Sequence, residues 1–149
     1  VDLVTTTKGE NEQLNLIFQS QARDNKIYQF RPPLVPKEIA QFHTLLTKSS
    51  LTSKFTISHE FLLVFSDRNR IVGGLFWKPM ESERVHLEWV AIKQKNRGIN
   101  LSKLLLNDFF KRMLHQNIKI ITVGFYVEKF FSKHDFKLNK RYGGLVKKL

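Results

Sequence analysis

The chain has 149 residues, with 25 lysines and arginines against 13 acids and a formal net charge of +12. That length suits one domain around one core, and 42% hydrophobic with 26% charged residues describes a soluble globular class. Cysteine is absent, which excludes disulfides and thiol catalysis, and the histidines (His43, His59, His86, His115, His134) lack metal-ligand spacing, so no metal site is expected.

The charge points to anionic partners: a polyphosphate cofactor, nucleic acid or an acidic membrane. A merely solvated basic surface is the plain alternative. The cations are scattered, densest at 93–97, 137–141 and 147–148, and no nucleic-acid motif stands out, so nucleic acid is the lesser candidate. No apolar run approaches the ~20 residues that cross a bilayer. No signal peptide is read at the start. These readings suggest a cytoplasmic protein without a membrane partner, as a monomer or homodimer. Val1 in place of Met suggests a domain from a longer chain.

Residues 1–30 are expected to be a lead-in, opening on a polar stretch, ahead of a main domain at 31–149. Within it Leu14, Ile17 and Phe18 are spaced for a helix face, and 26–30 suggests a short strand. Pro32, Pro33 and Pro36 break the chain, and Pro36 suits a first helical position. Ile39, Phe42, Leu45 and Leu46 then form one helix stripe, ending near Ser49. Segments 60–66 and 71–78 read as a hairpin around the polar turn 67–70, and 84–92 as a third strand. A basic loop at 93–100 feeds a helix whose stripe is Leu101, Leu104, Leu105, Phe109 and Met113, widened by Leu106, Phe110 and Leu114. Such breadth suits packing on a sheet. Residues 118–123 form a buried-type strand and 128–133 a short helix. Terminal strands follow at 136–141 and 145–149, with Gly143 and Gly144 between them. Phe61, Phe65 and Phe76 read as core; Trp77 and Trp89 are core or pocket lining.

Strand, helix, strand through the middle implies a right-handed parallel crossover. With antiparallel outer strands, the fold class is α/β: a central mixed sheet flanked by helices.

The informative segment is 90–106, VAIKQKNRGINLSKLLL. A strand ends, a basic loop follows and a helix begins near Asn100. The first N–H groups of a helix lack internal partners and attract anions. Gly98 and Ser102 are small enough for a phosphate to approach, and Lys93, Lys95 and Arg97 supply charge. An ordinary basic turn is the alternative reading of these residues alone.

The segment resembles the acyl-CoA motif of the GNAT acetyltransferase superfamily, which runs strand, Arg/Gln-x-x-Gly-x-Gly/Ala, leucine-rich helix. Here the match is Arg97, Gly98, Ile99, Asn100, Leu101 and Ser102, preceded by Val90, Ala91 and Ile92. Asn100 and Ser102 replace small motif residues; Asn accepts unusual φ. The Gly73-Gly74 hairpin and the segment 131–136 (FSKHDF) resemble further family elements, so the likeness covers roughly residue 36 to the C-terminus.

The resemblance implies a GNAT-like fold and acetyl-CoA, or another acyl-CoA, as cosubstrate. It implies transfer to an amine acceptor by direct attack, with residues 90–92 and 97–102 holding the CoA. The general base would be Glu88, on the strand before the loop, acting directly or through a water. His86, two residues away on the same strand face, would assist or replace it. A backbone N–H near Val90 to Ile92 would steady the carbonyl oxygen. The family's usual proton donor is a tyrosine where this chain has Phe131. Tyr126 and Tyr142 are the hydroxyls nearest in sequence, and Tyr126 is the candidate donor. Asp135 replaces the usual glycine before Phe136. Phe131 also leaves open a weakened, non-catalytic module that binds acyl-CoA or a partner protein.

Overall fold

The computed structural model describes residues 16–49, 54–123 and 131–149. Among these residues eight strands form a single sheet, and two long helices pack against it.

The strands are β1 (Phe18–Gln21), β2 (Ile27–Arg31), β3 (Glu60–Phe65), β4 (Ile71–Met80), β5 (Arg84–Ile92), β6 (Ile120–Val123), β7 (Lys137–Asn139) and β8 (Gly144–Lys148). Their order across the sheet is β1-β2-β3-β4-β5-β6-β8-β7. Among the described strands only β5 and β6 are parallel; every other pair is antiparallel. The expected mixed sheet and its central crossover are therefore present.

Helix α1 (Pro36–Lys48) opens on a proline and carries Glu38 in its first turn. The Glu38 carboxylate takes two hydrogen bonds from Arg31 and one from the Leu34 N–H. The Arg31 guanidinium holds Glu38 down at about 2. Phe42, Leu45 and Leu46 pack with Phe61, Leu63, Phe65, Phe76 and Ala91 on one sheet face. Helix α2 (Leu101–His115) covers the opposite face, burying Leu101, Leu105, Leu106, Phe109, Phe110 and Met113 against Leu62, Leu75, Leu87 and their neighbours. The expected stripe overreaches at Leu114, which is 54% exposed.

Two polar residues enter that second core as a pair. Arg112 Nε donates to Asp108 at 2.8 Å, and its Nη2 donates to the carbonyls of Leu16 and Phe30. Burial pushes the Asp108 carboxyl up, and Arg112 opposes that shift. The pair thereby ties α2 to the Leu16 and Phe30 carbonyls, and its buried polar atoms are hydrogen-bonded.

One element differs from the sequence reading. Phe18, expected on a helix face with Ile17, lies in β1 opposite Phe30. A turn at Asp24-Asn25, with Asn25 at φ 65°, folds the segment onto β2. Strand pairing outweighs three- and four-residue spacing in so short a stretch. The expected strand 118–123 begins instead at Ile120, because the Ile118 N–H closes the end of α2 on the Met113 carbonyl. The expected short helix at 128–133 lies mostly outside the described residues. No helix among those described is long and apolar enough to cross a membrane.

Candidate functional site

The site is built on β5. Over Arg84–Leu87 this strand pairs with β6, but it runs on to Ile92 with no β6 partner among the described residues. On its other edge it stays paired with β4 as far as Gly73↔Ile92. Gly73 makes that approach possible: a Cβ there would sit 2.6 Å from Ile92 Cδ1 and 2.8 Å from the Ala91 carbonyl. The Lys93 N–H donates to the Val72 carbonyl at 2.7 Å. By strand alternation, the backbone groups of Val90 and Ile92 then face away from β4.

Beyond Ile92 the chain makes one 3-10 turn (Gln94–Asn96) and two left-handed steps, Gly98 at φ 82° and Asn100 at φ 75°. A Cβ on Gly98 would meet nothing within 4 Å, so the glycine serves the backbone angle and not close packing. The substitution of Asn for the motif glycine is tolerated for the same reason, since Asn adopts this region more readily than most residues. The Arg23 N–H grips the Ile99 carbonyl from behind at 3.1 Å. The first intrahelical bond of α2 is Leu104 N–H to Asn100 O, and the Asn100 side chain does not cap the helix. The N–H groups of Leu101, Ser102 and Lys103 therefore have no partner within the helix.

Arg97 folds back so that Nε donates to the Ile92 carbonyl at 2.9 Å, joining the loop to the strand end. Lys93, Lys95 and Lys103 are exposed around the turn. Together these residues form an anion-attracting notch of backbone donors and cations.

The second part of the site lies inside β5. The register with β4 passes from Phe76↔Trp89 to Trp77↔Leu87, so Glu88 is an extra residue, a β-bulge. The bulge also changes the strand's phase. Val85 and Leu87 belong to the α2 face before it, whereas Ala91 and Trp89 pack on the α1 face after it. Glu88 is partly exposed, and its Oε2 lies 2.9 Å from Nε2 of His59.

The sequence reading gave His59 no role in the site. Its side chain is only 7% exposed, and its ring meets Phe76 edge-on at 5.1 Å. It ends the turn from Thr56, in which the His59 N–H donates to the Thr56 carbonyl at 3.0 Å. The Thr56 N–H donates in return to His59 Nδ1 at 2.9 Å. An apolar cavity of about 360 Å³, lined by Ile39, Phe61, Trp77 and Met113 among others, adjoins His59.

His86 lies two residues before Glu88. Its Nδ1 is 2.8 Å from the Thr122 hydroxyl on β6. Burial lowers its pKa from the ordinary histidine value, with Glu88 pulling the other way and Arg84 adding to the shift. Tyr126 lies outside the described residues. Phe131 is buried and packs its ring against Phe136 at 5.2 Å. Tyr142 lies under the Arg84 guanidinium at 5.3 Å. Asp135 takes φ 67°, the left-handed step its glycine-like position calls for. Among the described residues no group of acids and histidines could hold a metal ion.

The bulged strand, the anion-attracting turn and the leucine-rich helix can be set beside known proteins. The family model described as "Acetyltransferase (GNAT) domain" matches residues 30–141. No curated protein matches by sequence. Among solved structures, the GNAT-family acetyltransferase of Staphylococcus aureus Mu50 superposes with a TM-score of 0.63 at 15% identity, covering 77% of this chain and 87% of that one. The GNAT-family N-acetyltransferase YhbS of Escherichia coli, solved with CoA, gives 0.64 at 13% identity over 80% and 79%. The PaiA N-acetyltransferase of Thermoplasma acidophilum, solved with coenzyme A, gives 0.55 at 20% identity over 76% and 72%. At these identities the superpositions establish the fold, and the match to the family model establishes membership: this chain belongs to the GNAT acetyltransferase family.

Proposed function

We propose that the protein transfers an acyl group, acetyl in the first instance, from acyl-CoA to a primary amine. The observation that carries this reading is the turn between Ile92 and Leu101. Its left-handed Gly98 and Asn100 leave the first N–H groups of α2 open beside exposed cations. A diphosphate is the ligand such a notch fits. The CoA complexes of the E. coli and T. acidophilum proteins add support by likeness of fold.

In the proposed reaction the amine nitrogen attacks the thioester carbonyl while both substrates are bound. Glu88 accepts the amine proton, directly or through a water. The N–H of Val90 or Ile92, facing away from β4, donates to the developing oxyanion. The C–N bond forms, the C–S bond breaks, and CoA leaves as a thiolate. His86, hydrogen-bonded to Thr122, is assigned a supporting role. With Phe131 in place of a tyrosine, the thiolate takes its proton from solvent or from Tyr126.

Phe131 also favours a second reading, in which the domain binds acyl-CoA without turnover. Release of CoA thiol from acetyl-CoA separates the two, measured over a panel of polyamines, aminosugars, aromatic amines and peptides. The transferase reading expects at least one amine to raise release well above hydrolysis. Saturable acetyl-CoA binding with no amine-dependent release would leave the binding module.

A further inference from the structure

We infer that His59 is a positioning residue for the Glu88 base: its Nε2–H fixes the carboxylate at the β5 bulge. The inference rests on the reading of Glu88 as the base, and its evidence is independent of the family motif.

Three observations carry it. The Thr56 N–H points at Nδ1 of His59 at 2.9 Å. A nitrogen that accepts a hydrogen bond cannot also hold a proton in that direction, so the neutral ring carries its proton on Nε2. That proton faces Glu88 Oε2 at 2.9 Å, a hydrogen bond to a charged acceptor and thus of the stronger kind.

Next, the ring has no freedom to turn away. The Thr56 N–H at 2.9 Å and the Thr56 hydroxyl at 3.1 Å both meet Nδ1, Phe76 meets the ring edge-on, and the side chain is 7% exposed. Phe76 is itself the β4 residue at which the bulge begins, so the ring is braced on the residue that sets Glu88 out of register.

Finally, Glu88 needs such a partner. A bulge residue is out of step with its strand neighbours, and Glu88 is about a third exposed, so backbone alone does not fix its side chain. The Nε2–H bond occupies Oε2 and leaves Oε1 to take a proton. This is the division of labour seen wherever an oriented hydrogen bond readies a general base.

The test uses two substitutions that separate the two edges of the ring. In His59→Gln the side-chain amide reaches the place of Nε2 and still donates to Glu88. In His59→Asn the amide oxygen replaces Nδ1 and keeps the Thr56 contact, but the side chain falls short of Glu88. The kinetics use acetyl-CoA with the fastest amine from the panel above. We expect His59→Gln to stay within about threefold of the native kcat. We expect His59→Asn to lose on the order of tenfold to a hundredfold in kcat, as a misplaced catalytic group does, with the KM for acetyl-CoA unchanged.

Proton-coupled nitrogen NMR of the native protein needs no substrate and should find the His59 proton on Nε2. A proton on Nδ1, or equal losses in the two variants, would overturn the inference. If Glu88→Gln keeps the native rate while the tautomer stands, the base reading fails and the contact is merely structural. Absence of turnover with every amine would remove both.

Discussion

At the turn that follows β5 the working groups are backbone. Gly98 and Asn100 take left-handed angles, the Arg23 N–H holds the loop at the Ile99 carbonyl, Arg97 ties it to the Ile92 carbonyl, and the first N–H groups of α2 have no partner within the helix. At the bulge inside the same strand the working groups are side chains. Glu88 is out of register, and its partner His59 comes from a turn 29 residues earlier. In the proposed function the first region binds through backbone shape and dipole. The second depends on two particular side chains at 2.9 Å. Substitutions should therefore separate cleanly into those that alter acetyl-CoA binding and those that alter turnover.

The largest effect should fall at the bulge. Glu88→Gln keeps the hydrogen bond from His59 but removes the proton acceptor, and amine-dependent thiol release should drop by about 10²–10⁴-fold. Calorimetry should find acetyl-CoA binding unchanged. A matching loss of binding would mean that the two regions are not separable.

A middle-sized effect belongs to the turn. Valine at position 98 would have to adopt φ 82°, which costs on the order of 1–2 kcal/mol for a residue with a Cβ. The added atom meets nothing, so the fold should persist. Gly98→Val should raise the KM for acetyl-CoA about tenfold or more and leave kcat at saturation near native.

The smallest effect should come from Asn100→Gly, which restores the motif residue. Asn100 makes no side-chain cap, so nothing is lost there, and glycine takes φ 75° without strain. Thermal unfolding should shift by less than ~1 kcal/mol, and acetyl-CoA binding should hold or tighten. A marked loss of binding would show that the Asn100 side chain itself touches the ligand.

The same contrast explains what the sequence could reveal. The strand–loop–helix signature is local: apolar 84–92, cations, Gly98, then a leucine-rich helix, all contiguous. The hairpins were legible in the same way, from apolar runs bounded by polar turns. What local reading missed depended on pairing between distant segments. Ile17 and Phe18 have helix spacing, yet Phe18 joins a strand because β2 is there to receive it. His59 reads as an isolated histidine before a strand. Only the register Glu60↔Trp77↔Leu87 brings it beside Glu88, and only the bulge turns Glu88 toward it. Nothing in hydrophobic alternation announces a bulge, since one inserted residue changes the phase without altering composition. A further signal was available in Gly73 and Gly74. A Cβ on Gly74 would sit 2.9 Å from the Leu62 carbonyl and 3.0 Å from Phe42, so both glycines mark where neighbouring backbone and the α1 face come closest.

The proposed function requires the turn after β5 to receive a diphosphate. Calorimetric titration of acetyl-CoA into the native protein and into Gly98→Val, each repeated with saturating ADP present, examines that turn alone. We expect one saturable site in the native protein, competition by ADP and marked weakening in the variant. Absence of heat with acetyl-CoA, or equal affinity in the two proteins with no competition by ADP, would contradict it.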